Sequence, residues 1–359
     1  MASEAGVAED LRKAKKDTKK DVGQMSQWRL MLRRFMQNKL SVLGLIGLVT
    51  MYILAAFASF LAPYDYNTLD TNNQWQKPTP IVFSGGRPAI CGVTQTLNEA
   101  DFTWTYTRDC NTTYPVKFFV DGTPHKLLGI FPTTKHLFGV DSPPDAEIPV
   151  RLYLLGTDSL GRDMLARVLQ GARVSLTVGL VGVGIATILG SILGTASGYF
   201  GGAIDNIMQR VIELISSVPQ IPLWAALAAA LPRDLSVVRR YFLITVVLSL
   251  VAWTGLARQL RGKVIGYRAA DYTSAARAAG SSHKRIILTH MIPNSLSHII
   301  VVAALAIPGA ILAETALSFL GLGMLPPAVS WGVLLADAQR VDVILQYPWL
   351  MIPGVAVIV

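Results

Sequence analysis

The chain has 359 residues, 52% of them hydrophobic and 15% charged, with a formal net charge of +9 and a mean hydropathy of +0.43. Apolar content this high, gathered in long blocks, excludes a soluble globular domain. The basic residues do not form one face but gather in the first stretch of the chain and after residue 257, the distribution of cytoplasmic loops in membrane proteins, which excludes nucleic acid as a partner.

The N-terminal segment carries Lys13, Lys15, Lys16, Lys19 and Lys20, and is too long and too charged for the start of a signal peptide. Residues 1–39 read as a retained cytoplasmic tail, disordered up to about Gln27. A first span over residues 40–62 follows Arg33, Arg34 and Lys39 and stops at Pro63. It has roughly the 20 residues that cross a ~30 Å hydrocarbon core, and its basic flank puts its start in the cytoplasm.

Residues 63–155 change character: Pro, Thr, Asn and Asp rise and no stretch is apolar enough to span. The alternation Phe102-Thr-Trp-Thr-Tyr-Thr107 predicts a strand, and a run from Val116 through Asp121-Gly122 to Leu128 predicts a hairpin turning at Asp121-Gly122. This segment is expected to be a small extracytoplasmic β-rich insertion. It holds Cys91 and Cys110, in a compartment where a disulfide persists; the readings are a bridge, stabilising by about 3 kcal/mol, or two buried thiols.

The charged run Gly156-Thr-Asp-Ser-Leu-Gly-Arg-Asp163 to Arg173 fits an interfacial helix ahead of a second span over 174–197. That span carries Gly190, Gly194 and Gly198 at every fourth position, either a close-packing face inside a bundle or glycine tolerated in a membrane helix. A third span over 207–231 is interrupted by Pro219 and Pro222, and Glu213 near its start reads as a snorkelling carboxylate rather than a substrate site. The fourth span covers 241–256. Alternation of spans puts Arg233, Arg239 and Arg240 outside, against the charge rule.

A polar island then separates the spans. Asp271 is positioned to cap a short helix containing Ala275, Ala276, Ala278 and Ala279; Gly280 suits the left-handed turn that ends it. Ser281 or Ser282 would cap a second helix that Pro293 terminates. The island reads either as a docking knob for a soluble partner or as an amphipathic loop on the membrane surface. A fifth span over 296–317 has Pro308-Gly309 as a kink, with Glu314 and Asp337 near or beyond its outer end. A short amphipathic segment over 333–337 follows. The last apolar stretch, 347–359, is shorter than a crossing, so the sequence is expected to stop within its final span.

No Gly-x-x-x-x-Gly-Lys-Ser/Thr loop, zinc spacing among the five histidines, Gly-x-Ser-x-Gly elbow or paired intramembrane carboxylate occurs, so neither an enzyme nor a metal or cofactor site is expected in this chain. A conduit driven from elsewhere is the reading that remains; a stand-alone channel or secondary transporter is the remote alternative.

Tyr272-Thr-Ser-Ala-Ala-Arg-Ala-Ala-Gly280 with Ile287-Leu-Thr-His-Met-Ile-Pro293-Asn294 resembles the cytoplasmic EAA loop of binding-protein-dependent ABC importer permeases. Gly156-Thr-Asp-Ser-Leu-Gly-Arg-Asp163, Gly171-Ala-Arg-Val-Ser-Leu176, Gly198-Tyr-Phe-Gly-Gly202 and Ser318-Phe-Leu-Gly-Leu-Gly323 resemble the C-type permease of the dipeptide/oligopeptide/nickel branch. The resemblance implies an all-α polytopic membrane protein with the six-helix type I importer fold, a β-containing insertion, and a permease core over 156–359 with its coupling loop at 257–293. It implies a bacterial or archaeal cytoplasmic membrane, a heterodimer with a second permease, two ATPase subunits that hold ATP and magnesium, and an extracytoplasmic substrate-binding protein. The coupling residues would be Asp271, Tyr272, Ser274, Ala275, Ala276, Arg277, Gly280 and Pro293. Peptides are the implied substrate, with oligosaccharides or nickel complexes as alternatives. Ser274 stands where the family carries its leading Glu, which puts that acidic contact in doubt.

Overall fold

The computed structural model describes residues 35–98, 103–142, 149–230, 232, 235 and 237–358. Most of the basic tail, Phe102 and Arg233 lie outside them. The chain divides into two compact units, residues 1–53 and 54–359. Among the described residues, four helices are long and apolar enough to cross a membrane.

In the first unit the described part is most of α1 (Lys39–Ala56), begun by the Asn38 carboxamide oxygen, which accepts from the amides of Leu40 and Ser41 at 3.1 and 3.4 Å. Leu40, Leu43, Ile46, Val49 and Ile53 are exposed, as on a helix solvated by lipid tails.

In the second unit the chain resumes as α2 (Ala58–Leu61) after a break at Phe57. The Arg173 guanidinium donates to the carbonyls of Ala55 and Ala56 at 3.1 and 2.8 Å, so a cation satisfies acceptors that the ending helix leaves open.

The insertion is an antiparallel meander, β1 (Val82–Ser84), β2 (Arg87–Asn98), β3 (Thr103–Leu127) and β4 (Phe131–Val140), in spatial order 1-2-3-4. The expected turn at Asp121-Gly122 is not there. β3 runs on through it with an irregularity between Asp121 and His125, and the chain reverses at Leu128, Gly129 and Ile130. Gly122 serves packing instead: a Cβ there would lie 2.6 Å from the buried His136 ring. Cys91 pairs with Thr113 and Gly92 with Asp109, so Cys110 sits in a bulge of β3, where it is disulfide-bonded to Cys91.

The run 156–163 is a buried latch, not the start of an interfacial helix. Asp158 accepts from the amides of Leu160 and Arg162, from Arg162 Nε at 2.7 Å and from Arg167 Nη1 at 2.8 Å. Arg167 is 1% exposed and also reaches Asp337 at 3.3 Å. Gly156 and Gly161 have φ of +75° and +71°, and a Cβ at either would meet the backbone of Gln76 or Asp70 at 2.5 or 1.8 Å. Thr157 accepts from the Gln76 amide, and its own carbonyl accepts from Trp349 Nε1 at 3.0 Å. The latch thereby ties the segment before the sheet to the last of the described helices. Beside it the Tyr153 hydroxyl donates to Asp70 at 2.7 Å; burial, with the Asp70 carboxylate next to it, pushes that phenol far up.

Charged and apolar halves fuse into one helix, α3 (Met164–Phe200), 37 residues and so about 55 Å long, with Asp163 as its N-cap. The expected third span divides into α4 (Gly202–Ser217) and α5 (Gln220–Ala229). Pro219 lacks a donor and pushes Val218 into the extended region, at φ −91° and ψ 131°. The fourth does not stop at residue 256: α6 (Val237–Arg268) continues three turns further, because Leu256, Ala257, Leu260 and Val264 keep a buried stripe against α3 and its neighbours.

A Cβ on Gly190, Gly194 or Gly198 would lie 2.9, 2.5 or 2.7 Å from backbone atoms of Trp253, Ala257 or Arg261. Both series ascend together, so α3 and α6 run parallel and begin on the same side. The segment between them must return the full length of the pair, which is the task of α4 and α5. It also puts Arg239 and Arg240 on the side where α3 begins.

After the short helix α7 (Asp271–Ala278) comes α8 (His283–Phe319), antiparallel to α3. Gly179 faces Ile311, and the Ser175 hydroxyl donates to the buried Glu314 carboxylate at 3.1 Å. Glu314 also accepts from Ser318 at 2.8 Å. It therefore lies near the outer end of α8, as expected, but buried between helices as a joint between α3 and α8. Helices α9 (Trp331–Asp337), α10 (Val341–Gln346) and α11 (Pro348–Ile358) complete the described chain.

Two outcomes follow from this packing. Gly194→Leu forces α3 and α6 apart and destabilises by at least about 1–3 kcal/mol, measured as a lowered unfolding temperature in detergent, whereas Gly184→Leu, with nothing within 4 Å, leaves it near wild type. Both thiols of Cys91 and Cys110 resist alkylation in unreduced protein, and the double serine variant loses about 3 kcal/mol from the sheet, read as faster proteolysis there.

Candidate functional site

The polar island folds as a knob at the far end of α6. Ala270, not Asp271, is the N-cap of α7, and it has no side chain with which to cap. Asp271 is the first helical residue, exposed, where its charge favours the positive end of the helix. The first amides are held from the main chain: the Ala270 carbonyl accepts from Thr273 and Ser274 at 3.0 and 3.2 Å. Thr273, fully buried, donates its hydroxyl to the Tyr267 carbonyl at 2.7 Å and so bolts α7 to the end of α6.

At the other end Gly280 has φ +74°. The Gly280 amide donates to Arg277 and the Ser281 amide to Ala276, at 2.9 and 3.0 Å, the paired bonds of a Schellman stop. No atom lies within 4 Å of a Cβ built at Gly280, so conformation alone demands glycine there. Ser282 then caps the next helix, its hydroxyl accepting from the Arg285 amide at 3.4 Å.

Pro293 does not end that helix. Residues Ile287–Met291 form one π turn, with the Ile292 amide donating to Ile287, and α8 continues through Pro293. The wider turn shifts the bonding register where proline offers no donor.

One face of α7 is anchored. Ala276 packs on a core of Tyr199, Val264, Ile286 and Met291, which come from α3, α6 and α8. The Arg277 guanidinium lies 5.3 Å from the centre of the Tyr199 ring, and the Tyr199 hydroxyl is 2.8 Å from His283 Nδ1. The other face, with Asp271, Tyr272, Ser274, Ala275 and Ala278, is exposed. Its side chains are short apart from Tyr272, whose ring leans towards His290 at 6.4 Å.

Sequence reasoning missed the clamp behind the knob. Arg261 on α6 donates from Nε and Nη2 to the two oxygens of Asp205 on α4, at 2.6 and 2.7 Å, and Ser197 at the end of α3 donates to the same carboxylate. This two-pronged pair fixes three helix ends. A lone acid four residues past Gly201, between two apolar stretches, was the signal available.

A cavity of about 320 Å³ lies among α3, α5, α6 and α8, away from the knob. Thr187, Thr245, Ser249 and Gln259 give it polar groups, with Trp224 and Ala306 among its apolar walls. No group of three or more residues fit to hold a metal ion occurs among the described residues.

Residues 186–359 match the family model described as binding-protein-dependent transport system inner membrane component, and residues 26–78 match the N-terminal TM domain of oligopeptide transport permease C. The oligopeptide transport system permease protein OppC of Mycobacterium tuberculosis is 30% identical over 330 residues, 92% of this chain and 87% of its own length. The protein of that name from Bacillus subtilis is 28% identical over 97% of this chain and 85% of its own. That from Haemophilus influenzae is 41% identical over 56% of this chain, and the match reaches 62% of its own length. The family is a membrane transport component and not an enzyme. The chain belongs to the family of binding-protein-dependent transport system inner membrane components, in its oligopeptide permease C branch.

Proposed function

We propose that this chain is one permease subunit of an ATP-driven, binding-protein-dependent importer of di- and oligopeptides. It pairs with a second permease and lines half of the pathway. Two ATPase subunits hold ATP and magnesium, and an extracytoplasmic binding protein delivers the peptide. The observation that carries this is α7: a short helix with a fixed stop, bolted on one face and bare on the other, at the end of a helix that reaches the cavity.

The mechanical logic follows from the contacts. A push on α7 passes through the Thr273–Tyr267 bond and the Ala276 contact into α6 and the start of α8. Both helices line the cavity, α6 with Thr245, Ser249 and Gln259, and α8 with Ala306. Because α6 is unbroken from Val237 to Arg268, displacement at its end reaches the cavity without a hinge. The Asp205–Arg261 clamp adds α4 to the same moving body. The names of the relatives, oligopeptide and dipeptide permeases among them, support peptides as the cargo.

Gly280→Val is expected to abolish co-purification with the ATPases and ATP-driven peptide uptake, because a β-branched residue resists φ +74°. Gly280→Asn, tolerated in the left-handed region, retains most of both; equal retention by the valine variant refutes the docking role. Asp205→Ala leaves Arg261 without its carboxylate and is expected to lower peptide-stimulated ATP hydrolysis while the subunits still co-purify, with Arg261→Ala giving the same defect. Mass spectrometry of the ligand carried by the cognate binding protein identifies the cargo: a sugar or a nickel complex in place of peptides overturns that part.

A further inference from the structure

The tip of the β3–β4 hairpin carries an unusual set of exposed side chains. Leu128, Ile130 and Phe131 are 47%, 72% and 60% exposed, and Phe119, further up β3, is 63% exposed. Phe119 and Leu128 have φ of +56° and +53°, a backbone conformation that costs a bulky residue free energy. At Phe119 this geometry turns the ring towards Phe60 on α2, with centroids 6.2 Å apart. Strain that leaves a large apolar ring exposed needs an environment in which exposure is favourable.

The neighbours fix where the tip lies. The Ser59 hydroxyl, on α2, donates to the Lys126 carbonyl at 3.5 Å. Lys126 and Gly129 share a cavity of about 280 Å³ with Ala58, Ala166, Gln170 and Arg173. Arg173 is the last charged residue on α3 before the apolar run that begins at Val174. The hairpin tip therefore stands level with the border between the polar and apolar parts of α3, beside the end of a membrane-crossing helix. At that depth the surroundings are headgroups and the upper ends of acyl chains, in which aromatic and aliphatic residues flanked by a lysine are at home. The ion pairs of the hairpin, Asp121–Lys135 and Lys117–Asp141, lie in the strands rather than at the tip.

We propose that the tip of the β3–β4 hairpin, Leu128 to Phe131 together with Phe119, is a lipid anchor that dips into the membrane interface and sets the sheet's stance on the bilayer. Its occupant is lipid, because the tip stands level with the start of the apolar run of α3. The inference rests on the helices crossing a membrane and is independent of the cargo.

The test uses site-directed spin labels. Both native cysteines are consumed in the disulfide, so a single added cysteine is the one reactive thiol of the chain. Ile130→Cys, Phe131→Cys and Thr134→Cys are labelled with nitroxide in the full chain, assembled with cysteine-free partner subunits in phosphatidylethanolamine–phosphatidylglycerol vesicles. Ile188→Cys on α3, 62% exposed, reports on the bilayer separately. Labels at 130 and 131 are expected to relax several-fold more with oxygen than with a water-soluble nickel chelate, like 188, and the label at 134 the reverse. Chelate access at 130 equal to that at 134 overturns the proposal, as does shielding from both reagents, which would mean that protein covers the tip. Oxygen access at 188 without it at 130 and 131 refutes the anchor while leaving the membrane crossing intact.

Discussion

Helix α3 has no Cβ at Gly190, Gly194 and Gly198, and the backbone of α6 occupies that space. In lipid the hydrophobic effect does not press helices together, so close van der Waals approach and satisfied polar groups must do so. Three glycines at a four-residue spacing let two parallel helices approach over several turns. Much else follows from the pair. The connection between them has to recross, α8 takes the remaining groove, and the end of α6 is stiff enough to carry a knob.

Polar joints then fix what the glycines permit. Glu314 with Ser175 and Ser318 links α3 to α8, while Asp205 with Arg261 and Ser197 links α3, α4 and α6. On the sheet side, Asp158 and its two arginines lock the start of α3 to its surroundings. A buried carboxylate with every contact supplied is costly to break singly, so each joint holds one arrangement of helices rather than adding much net stability. The knob has the opposite character. Its outer face has short side chains, and its shape is set by one glycine and one buried threonine.

Several features were legible because their cause is local. Gly280 terminates its helix by backbone conformation, Ser282 caps by adjacency, and the apolar blocks announce membrane helices whatever surrounds them. Other readings failed where a neighbour decided. Asp121-Gly122 has the composition of a turn, yet the strand passes through because His136 needs the space above Gly122. Pro293 has the composition of a stop, yet a π turn absorbs it. Asp271 has the chemistry of a cap but sits one residue too late. The fourth span looked finished at residue 256 because charges begin there, whereas the buried stripe through Val264 carries the helix onward.

The sequence by itself determined the membrane class, the inserted sheet, the position of the knob and the family, because periodicity, hydropathy and short motifs are properties of neighbouring residues. Tertiary structure alone decided which helices pack backbone to backbone, which carboxylate meets which arginine, where the hairpin turns and what lines the cavity. Those depend on residues far apart in the chain, such as Arg261 and Asp205, or Gly194 and Ala257. Only packing makes them neighbours.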